Sequence, residues 1–538
     1  MKKGSGLAVF PGVSIGNAVV YRKAARTVTA SVGTPAEEQK RFEEACKTAK
    51  EQLNELFEQA KVTLGEDKAA IVEVQILMLD DLDYLEAVAD EIANGTDAAT
   101  AAAECGESIA QVFAGLDDEY MKARSADIRD VSQRVADILC GNTGFHLPEG
   151  KFLLVAEDLA PSETIQLPRD RILGFVTQKG SSSSHTAILA RTLNIPSLVQ
   201  ADIDLDDAES CKVLAVDGFT GIWYTDPDEE TMQMLLKKQS EAAADQMALE
   251  AYRGRPSVTK SGKKILLCAN IGSPADAEAA VAGDAEGVGL MRSEFLYLGR
   301  ETMPTEEELF NAYREVAEIM DGRPVVVRTL DIGADKQVDY MNLPKEDNPA
   351  LGLRGLRICL TREDDIFRPQ LRAIYRASAY GNLSIMFPMV ASPWELRKAK
   401  EICADVRREL TEEGVALGEV PIGVMIETPA AAVMADALAQ EADFFSVGTN
   451  DLTQYTLAVD RQNANLGDFF NPYHPAVLAL LGHIAKCANK AGIWAGICGE
   501  LGADPKLTET FVQMGFTELS MAPGRILGTR KLVCESEV

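Results

Sequence analysis

A histidine follows four consecutive serines in residues 180–191, Gly-Ser-Ser-Ser-Ser-His-Thr-Ala-Ile-Leu-Ala-Arg. Imidazole is a competent nucleophile near neutral pH, so such a residue can carry a phosphoryl group as a covalent intermediate. The apolar run 172–176 before it reads as a strand. Ile188, Leu189 and Leu193 read as one face of a short helix that Asn194-Ile-Pro stops. His185 therefore falls where a Ser-rich turn enters a helix. Such a helix start offers unpaired backbone N–H groups and a partial positive charge, both suited to an anion. The serines add hydroxyl donors. The alternative is a flexible Ser-rich linker with an incidental histidine, but linkers rarely occupy the few residues between a strand and a helix. His146 lies in a Gly/Pro-rich turn, His474 before Pro475 and His483 in an apolar helical pattern; structural or surface roles suit these three.

A second set of reactive side chains recurs at the ends of apolar segments in the C-terminal half. Strand candidates at 265–269, 287–291, 325–329, 384–389, 422–427, 444–447, 493–498 and 517–521 alternate with helical patterns. That alternation predicts a (β/α)8 barrel, with a doubly wound open sheet as the alternative. In a barrel the active site lies at the C-terminal strand ends. Arg292 closes the second candidate, Arg328 the third, Glu427 the fifth and Cys498 the seventh. Asn450 and Asp451 follow the sixth, with Arg461 in the loop beyond. Three arginines at one mouth suit a substrate with several negative charges, because guanidinium forks grip carboxylate and phosphate bidentately. Glu427 and Asp451 have no use against an anion unless a hard cation lies between, and Mg²⁺ fits. The Cys498 thiol is a candidate nucleophile or acid. Each residue alone is a weak signal; their spread over successive strand ends is the argument.

Composition bounds the rest. The chain has 538 residues, 46% hydrophobic and 25% charged, which suits three or four ordinary globular domains. No apolar run reaches membrane-spanning length and no signal peptide opens the chain. Ten cysteines without a CxxC read as reduced thiols in the cytosol. The net charge of −30 argues against nucleic acid or an anionic membrane and favours a partner protein with a positive face. The predicted class is a multidomain α/β protein. Residues 1–29 open an α/β domain, 30–141 form an inserted bundle of helices at 35–64, 67–93, 96–115 and 117–139, and 142–225 complete the α/β domain with His185. A linker helix over 226–254 leads to the barrel of 255–538.

These stretches also carry a resemblance. Residues 180–191, 290–295, 328–336, 387–389, 423–429, 447–461 and 496–501 resemble the motifs of the phosphoenolpyruvate-utilising enzymes. The domain order, with the further stretches 117–130, 161–164 and 348–354, is similar to the Enzyme I group of the phosphoenolpyruvate:sugar phosphotransferase system. The resemblance implies that His185 takes the phosphoryl group of phosphoenolpyruvate and passes it to the histidine phosphocarrier protein HPr, which docks on the helical block. It implies that Arg292, Arg328, Arg461 and Asn450, with Asp451, hold the substrate, that Glu427 and Asp451 bind Mg²⁺, and that Cys498 protonates the enolate to give pyruvate. It further implies a cytoplasmic homodimer paired through the barrel. In two places the chain departs from the family. Gly-Ser-Ser-Ser-Ser-His stands where the family usually has Gly-Gly-Arg-Thr-Ser-His, and the family typically runs on for about one or two helices more, of roughly a dozen residues each. A shortened last barrel helix is expected to expose an apolar edge. A pyruvate phosphate dikinase or phosphoenolpyruvate synthase would need a nucleotide-binding domain for which no segment is long enough. A regulator that binds phosphoenolpyruvate or HPr without turnover is the other reading.

Overall fold

The computed structural model describes the chain apart from residues 23–32, 65–71, 73–74, 115–118, 142–148, 160–162, 165–166, 169, 181–184, 194, 299, 301, 334–337 and 462. For some others, His185 among them, it describes the backbone alone. Two compact units, Met1–Asp245 and Gln246–Val538, divide the chain.

The first unit is built on one eight-stranded sheet. Its strands are β1 (Lys2–Ser5), β2 (Leu7–Phe10), β3 (Val13–Tyr21), β4 (Phe152–Ala156), β5 (Ile172–Thr177), β6 (Ser197–Val199), β7 (Leu214–Asp217) and β8 (Ile222–Thr225), in the order β1-β8-β7-β3-β4-β5-β6-β2. The opening segment thus forms three short strands. β3 pairs in parallel with β4, Asn17 opposite Phe152, although a helical block separates them in sequence. That block comprises α1 (Pro35–Leu64), α2 (Leu82–Ala93), α3 (Ala98–Ala114) and α4 (Glu119–Leu139). Phe42, Leu53, Val88, Ala101 and Val135 from these helices share one core. The small alanines allow α3 to approach α4 closely. α5 (His185–Leu193) connects β5 to its parallel neighbour β6, and α6 (Leu205–Ser210) follows. α7 (Glu229–Glu250) buries Leu235 against Val13, Ala215 and Tyr224, and Lys238 Nζ donates to Asp217 Oδ2 at 2.5 Å.

The second unit is a closed parallel barrel, so the open-sheet alternative falls. Its strands are β9 (Leu266–Ile271), β10 (Gly287–Arg292), β11 (Val325–Arg328), β12 (Leu383–Phe387), β13 (Ile422–Ile426), β14 (Phe444–Gly448), β15 (Trp494–Cys498) and β16 (Glu518–Met521). β16 closes on β9, with Glu518 opposite Leu266 and Met521 opposite Ala269. The outer helices are α8 (Pro274–Ala282), α9 (Glu306–Ile319), α10 (Leu356–Thr361), α11 (Arg368–Ala377), α12 (Pro393–Glu412), α13 (Pro429–Val433), α14 (Ala435–Leu438), α15 (Thr449–Leu457), α16 (Pro475–Ala491), α17 (Thr508–Met514) and α18 (Ile526–Glu535). Most of the strands read as short apolar runs rather than alternating ones because both faces are buried. Their outward side chains meet the helices in the main core, while Leu290, Val326, Met386, Met425, Phe444 and Cys498 fill the interior.

One strand ends earlier than the hydrophobic run predicts. The expected strand 384–389 stops at Phe387, because Met389 takes φ of 56° and turns its N–H toward Glu427. At the chain's end, α18 buries Ile526, Leu527 and Val533 instead of presenting the apolar edge that was expected, and its Arg530 guanidinium pairs with Asp284 and donates to Ser257 Oγ at 3.1 Å. Among the described residues no helix is long and apolar enough to cross a membrane. All ten cysteines are free thiols.

Candidate active site

Strand ends at the barrel mouth place the predicted residues together. Arg292 ends β10, Arg328 ends β11, and Cys498 ends β15. Asn450 and Asp451 lie in the first turn of α15, whose N-terminal backbone dipole points its positive end into the same space. Arg292, Arg328, Asn450, Asp451, Arg461 and Cys498 line one cavity of about 520 Å³. A second cavity of about 640 Å³ shares Arg292 and Asn450 with it and extends past Phe295 to Arg525.

The charges alternate. Arg328, 6% exposed, donates to Glu294 Oε1 at 2.7 Å and pairs with Asp331 at 2.9 Å. Arg354 reaches both oxygens of Asp331 at 3.2 Å, Tyr455 Oη at 3.1 Å and Asp451 at 3.5 Å. Arg461 approaches Asp451 from the other side at 3.6 Å. Burial works against the charge on Arg328 and Arg354, but the surrounding carboxylates outweigh it and push both pKa values up. Arg292 makes no ion pair among the described residues, which leaves its fork available to an anion.

Glu427 is buried just past the end of β13. Its Oε1 accepts the Met389 N–H at 2.7 Å, and its Oε2 is buried with no hydrogen-bond partner. Gly448 makes room for it, since a Cβ there would lie 2.6 Å from Oε2. Burial, then Asp331 and Asp451, push the Glu427 carboxyl up to about 8, against the pull of Arg328 and Arg354. A carboxyl so placed takes either a proton or a cation, and the orphaned oxygen is a hard-cation donor. Glu427 and Asp451 therefore fit a divalent ion with waters and substrate oxygens in the remaining positions; no cluster of three or more His, Cys, Asp or Glu side chains suited to a metal occurs among the described residues.

Cys498 is 3% exposed, and its thiol donates to Asn270 Oδ1 at 3.5 Å. Burial, then Glu518, push it up to about 12, more than Arg292 and Arg328 pull it down. A buried thiol held protonated suits the acid role better than the nucleophile role, of the two left open by the sequence.

His185 is the first residue of α5, in the other unit. The four serines before it lie outside the described residues. At the entry to that loop Gly180 takes φ of 100°, and Gln200 Nε2 donates to its carbonyl at 3.0 Å.

Comparison with known proteins matches this arrangement. Residues 246–538 match the PEP-binding domain of the PEP-utilising (phosphoenolpyruvate-utilising) enzymes, 5–124 their N-terminal domain and 148–221 their mobile domain. The chain belongs to the PEP-utilising enzymes. Within this family it is 42% identical to a phosphoenolpyruvate-protein phosphotransferase of Priestia megaterium over 99% of this chain and 94% of that one. It is 43% identical to one of Geobacillus stearothermophilus, over 98% and 92%. A solution structure of Enzyme I is 30% identical over 45% of this chain and 99% of that one, with a TM-score of 0.38.

In this PEP-utilising enzyme the sequence reading passed over part of the mouth. Arg354 stood in a recognised stretch without a role, and Glu294 and Asp331 were left as strand-end neighbours. The available signal was spacing: Glu294 two residues after Arg292 and Asp331 three after Arg328. Asn270, which accepts from the Cys498 thiol, is the penultimate residue of β9, a strand whose end carries no predicted site residue.

Proposed function

We propose that the chain transfers the phosphoryl group of phosphoenolpyruvate to His185 and from there to HPr, releasing pyruvate. The observation that carries this reading is the cavity at the barrel mouth that gathers Arg292, Arg328, Arg354 and Arg461 with Asp451 and the Cys498 thiol, with Glu427 buried against Gly448 of its wall. Phosphoryl transfer needs charge neutralisation and positioning more than covalent help from the protein. Arg292, unpaired, and Arg461, at the rim, take the substrate's anionic groups first. Arg328 is held by Glu294 and Asp331, and Arg354 by Asp331, at the wall of the same cavity. Asn450 orients an oxygen, and the start of α15 adds backbone dipole. Glu427 and Asp451 would hold Mg²⁺, which when bound neutralises phosphate charge and fixes its oxygens. The Cys498 S–H gives its proton to C3 of the enolate as the P–O bond breaks.

The reading makes His185 a nucleophile that must visit the mouth, since phosphoryl transfer requires direct approach of the ring nitrogen. The segment 226–254 is the proposed hinge, and the helical block at 30–141 the proposed HPr dock. Cytoplasmic location and pairing of two copies through the barrel belong to the same reading. Exposed Leu351, Phe469 and Tyr473 on the barrel unit supply apolar surface for such pairing.

Incubation with radiolabelled phosphoenolpyruvate and Mg²⁺, followed by HPr, tests the whole. The expected result is an acid-labile label that moves to HPr and is absent in His185→Ala. Label on the His185→Ala protein overturns the site assignment. Substrate binding without label in the unaltered protein favours a non-catalytic regulator.

A further inference from the structure

Toward the opposite end of the barrel a second carboxyl is buried. Glu518 opens β16 and is 3% exposed; the Cys268 thiol lies beside its carboxyl, but among the described residues no N–H or O–H reaches either oxygen. Two interior glycines make its slot. A Cβ on Gly496 of β15 would lie 1.8 Å from Glu518 Oε2, and one on Gly289 of β10 would lie 2.3 Å from Oε1. Above it on the same face of β16, Ser520 donates to Asn270 Oδ1 at 2.5 Å, the same oxygen that accepts from Cys498. Ser520 is also the strand partner of Cys498, and Glu518 that of Gly496. Glu518, Ser520 and Cys498 are therefore neighbours on two paired strands, in an interior otherwise filled by Leu290, Val326, Met386, Met425 and Phe444. On its other side Glu518 lines a cavity of about 430 Å³ at the N-terminal strand ends, where Lys264, Pro421 and Trp494 reach the surface.

We propose that Glu518 stores the proton that restores Cys498 after each turnover, and that this proton enters from solvent through the floor of the barrel. The inference rests on Cys498 as the acid of the proposed reaction. Cys498 S–H gives its proton to C3 of the enolate. The resulting thiolate takes the proton of the Glu518 carboxyl, and the Ser520 hydroxyl, which follows Glu518 on β16 and is the strand partner of Cys498, is the proposed relay once it turns from Asn270. The Glu518 carboxylate then takes a proton from water in the floor cavity. No other bond changes and no electron is transferred.

The order of acidities suits that direction. Burial pushes Glu518 up to about 8, and the Cys268 thiol beside it pulls back only in part. Cys498, pushed up to about 12, is the stronger base once ionised. The titratable groups around Glu518 are Cys268 on β9, Cys498 on β15, Glu286 ahead of β10, which acts on Cys268, and Lys264 at the cavity rim. Gly289, Gly496 and Ser520 complete the wall, and none of these offsets the burial of the carboxyl.

Kinetics of the full chain with phosphoenolpyruvate, Mg²⁺ and HPr test this. The first turnover uses the proton already on Cys498, so Glu518→Gln keeps the initial burst of phospho-His185. Later turnovers slow by roughly tenfold or more, KM for phosphoenolpyruvate holds, and the alkaline limb of kcat near pH 8 disappears. Ser520→Ala, which leaves the carboxyl in place, slows later turnovers in the same way. Unchanged kcat and pH profile in Glu518→Gln overturn the proposal. So does a burst slowed as much as the steady state, because that marks a general structural defect. If the unaltered chain forms no phospho-His185, the underlying reading fails instead.

Discussion

Glu427 shows how one buried side chain holds opposed demands. Its pKa is raised to about 8 by burial and by Asp331 and Asp451, so its charged form is disfavoured in the folded chain. Sign follows from linkage: stability is full below the unfolded carboxyl range and falls as pH rises through about 8. Glu427→Gln is therefore expected to raise the melting temperature of the metal-free protein at pH 8 to 9, with little change near pH 4. The same variant should lose Mg²⁺-dependent transfer by about a hundredfold or more, as the cation loses a charged ligand. Calorimetry at two pH values and the transfer assay read both; a stabilised and fully active variant would sink the ligand role. Arg328→Lys is expected to keep positive charge yet lose activity, because one ammonium cannot hold Glu294, Asp331 and a substrate oxygen at once. Of these residues, type and strand-end position were legible beforehand. The pairings were not, because Arg354 reaches Asp331 and Asp451 only across the closed mouth.

At the scale of elements, local signals were reliable where local chemistry decides. Thr305 caps α9, donating to Glu308 Oε2 at 2.8 Å and accepting from Glu308 N at 3.2 Å; the Thr305 backbone N–H, then Arg300 and the Thr305 hydroxyl, lower Glu308 to about 2. Thr305→Ala is expected to destabilise the barrel by about 1 kcal/mol. Because the Glu308 pKa is lowered, that contribution is present above the ordinary carboxylate range and fades as pH falls toward 2; urea midpoints at pH 7 and pH 3 check it. Gly448→Ala tests an element for the opposite reason. The added methyl would lie 2.6 Å from Glu427 Oε2 and 2.9 Å from its Cβ, so either β14 shifts or Glu427 leaves its place. A loss of about 1–3 kcal/mol together with loss of Mg²⁺ dependence is expected. The end of β12 illustrates what periodicity misses: the apolar run continues through Met389, but its N–H is needed by Glu427, and a positive φ breaks the strand.

For the whole molecule, two compact units predict two events. Scanning calorimetry should resolve separate transitions, and phosphoenolpyruvate with Mg²⁺ should raise only the one belonging to residues 246–538. A single transition that shifts as one would count against independent units. The helical block was legible as an insertion because its composition changes at both ends. That β3 and β4 pair across it, Asn17 to Phe152, emerged only from the fold.

Sequence alone determined the histidine at a helix start, the barrel class, and the strand ends that bear arginines, acids and thiol, because each depends on residue type and local period. Tertiary structure decided that the sheet closes, that the Cys498 thiol is buried, that Glu294, Asp331 and Arg354 complete the mouth, and that Glu518 is buried beneath it. These rest on burial and on distances between residues far apart in the chain, and no local pattern encodes either.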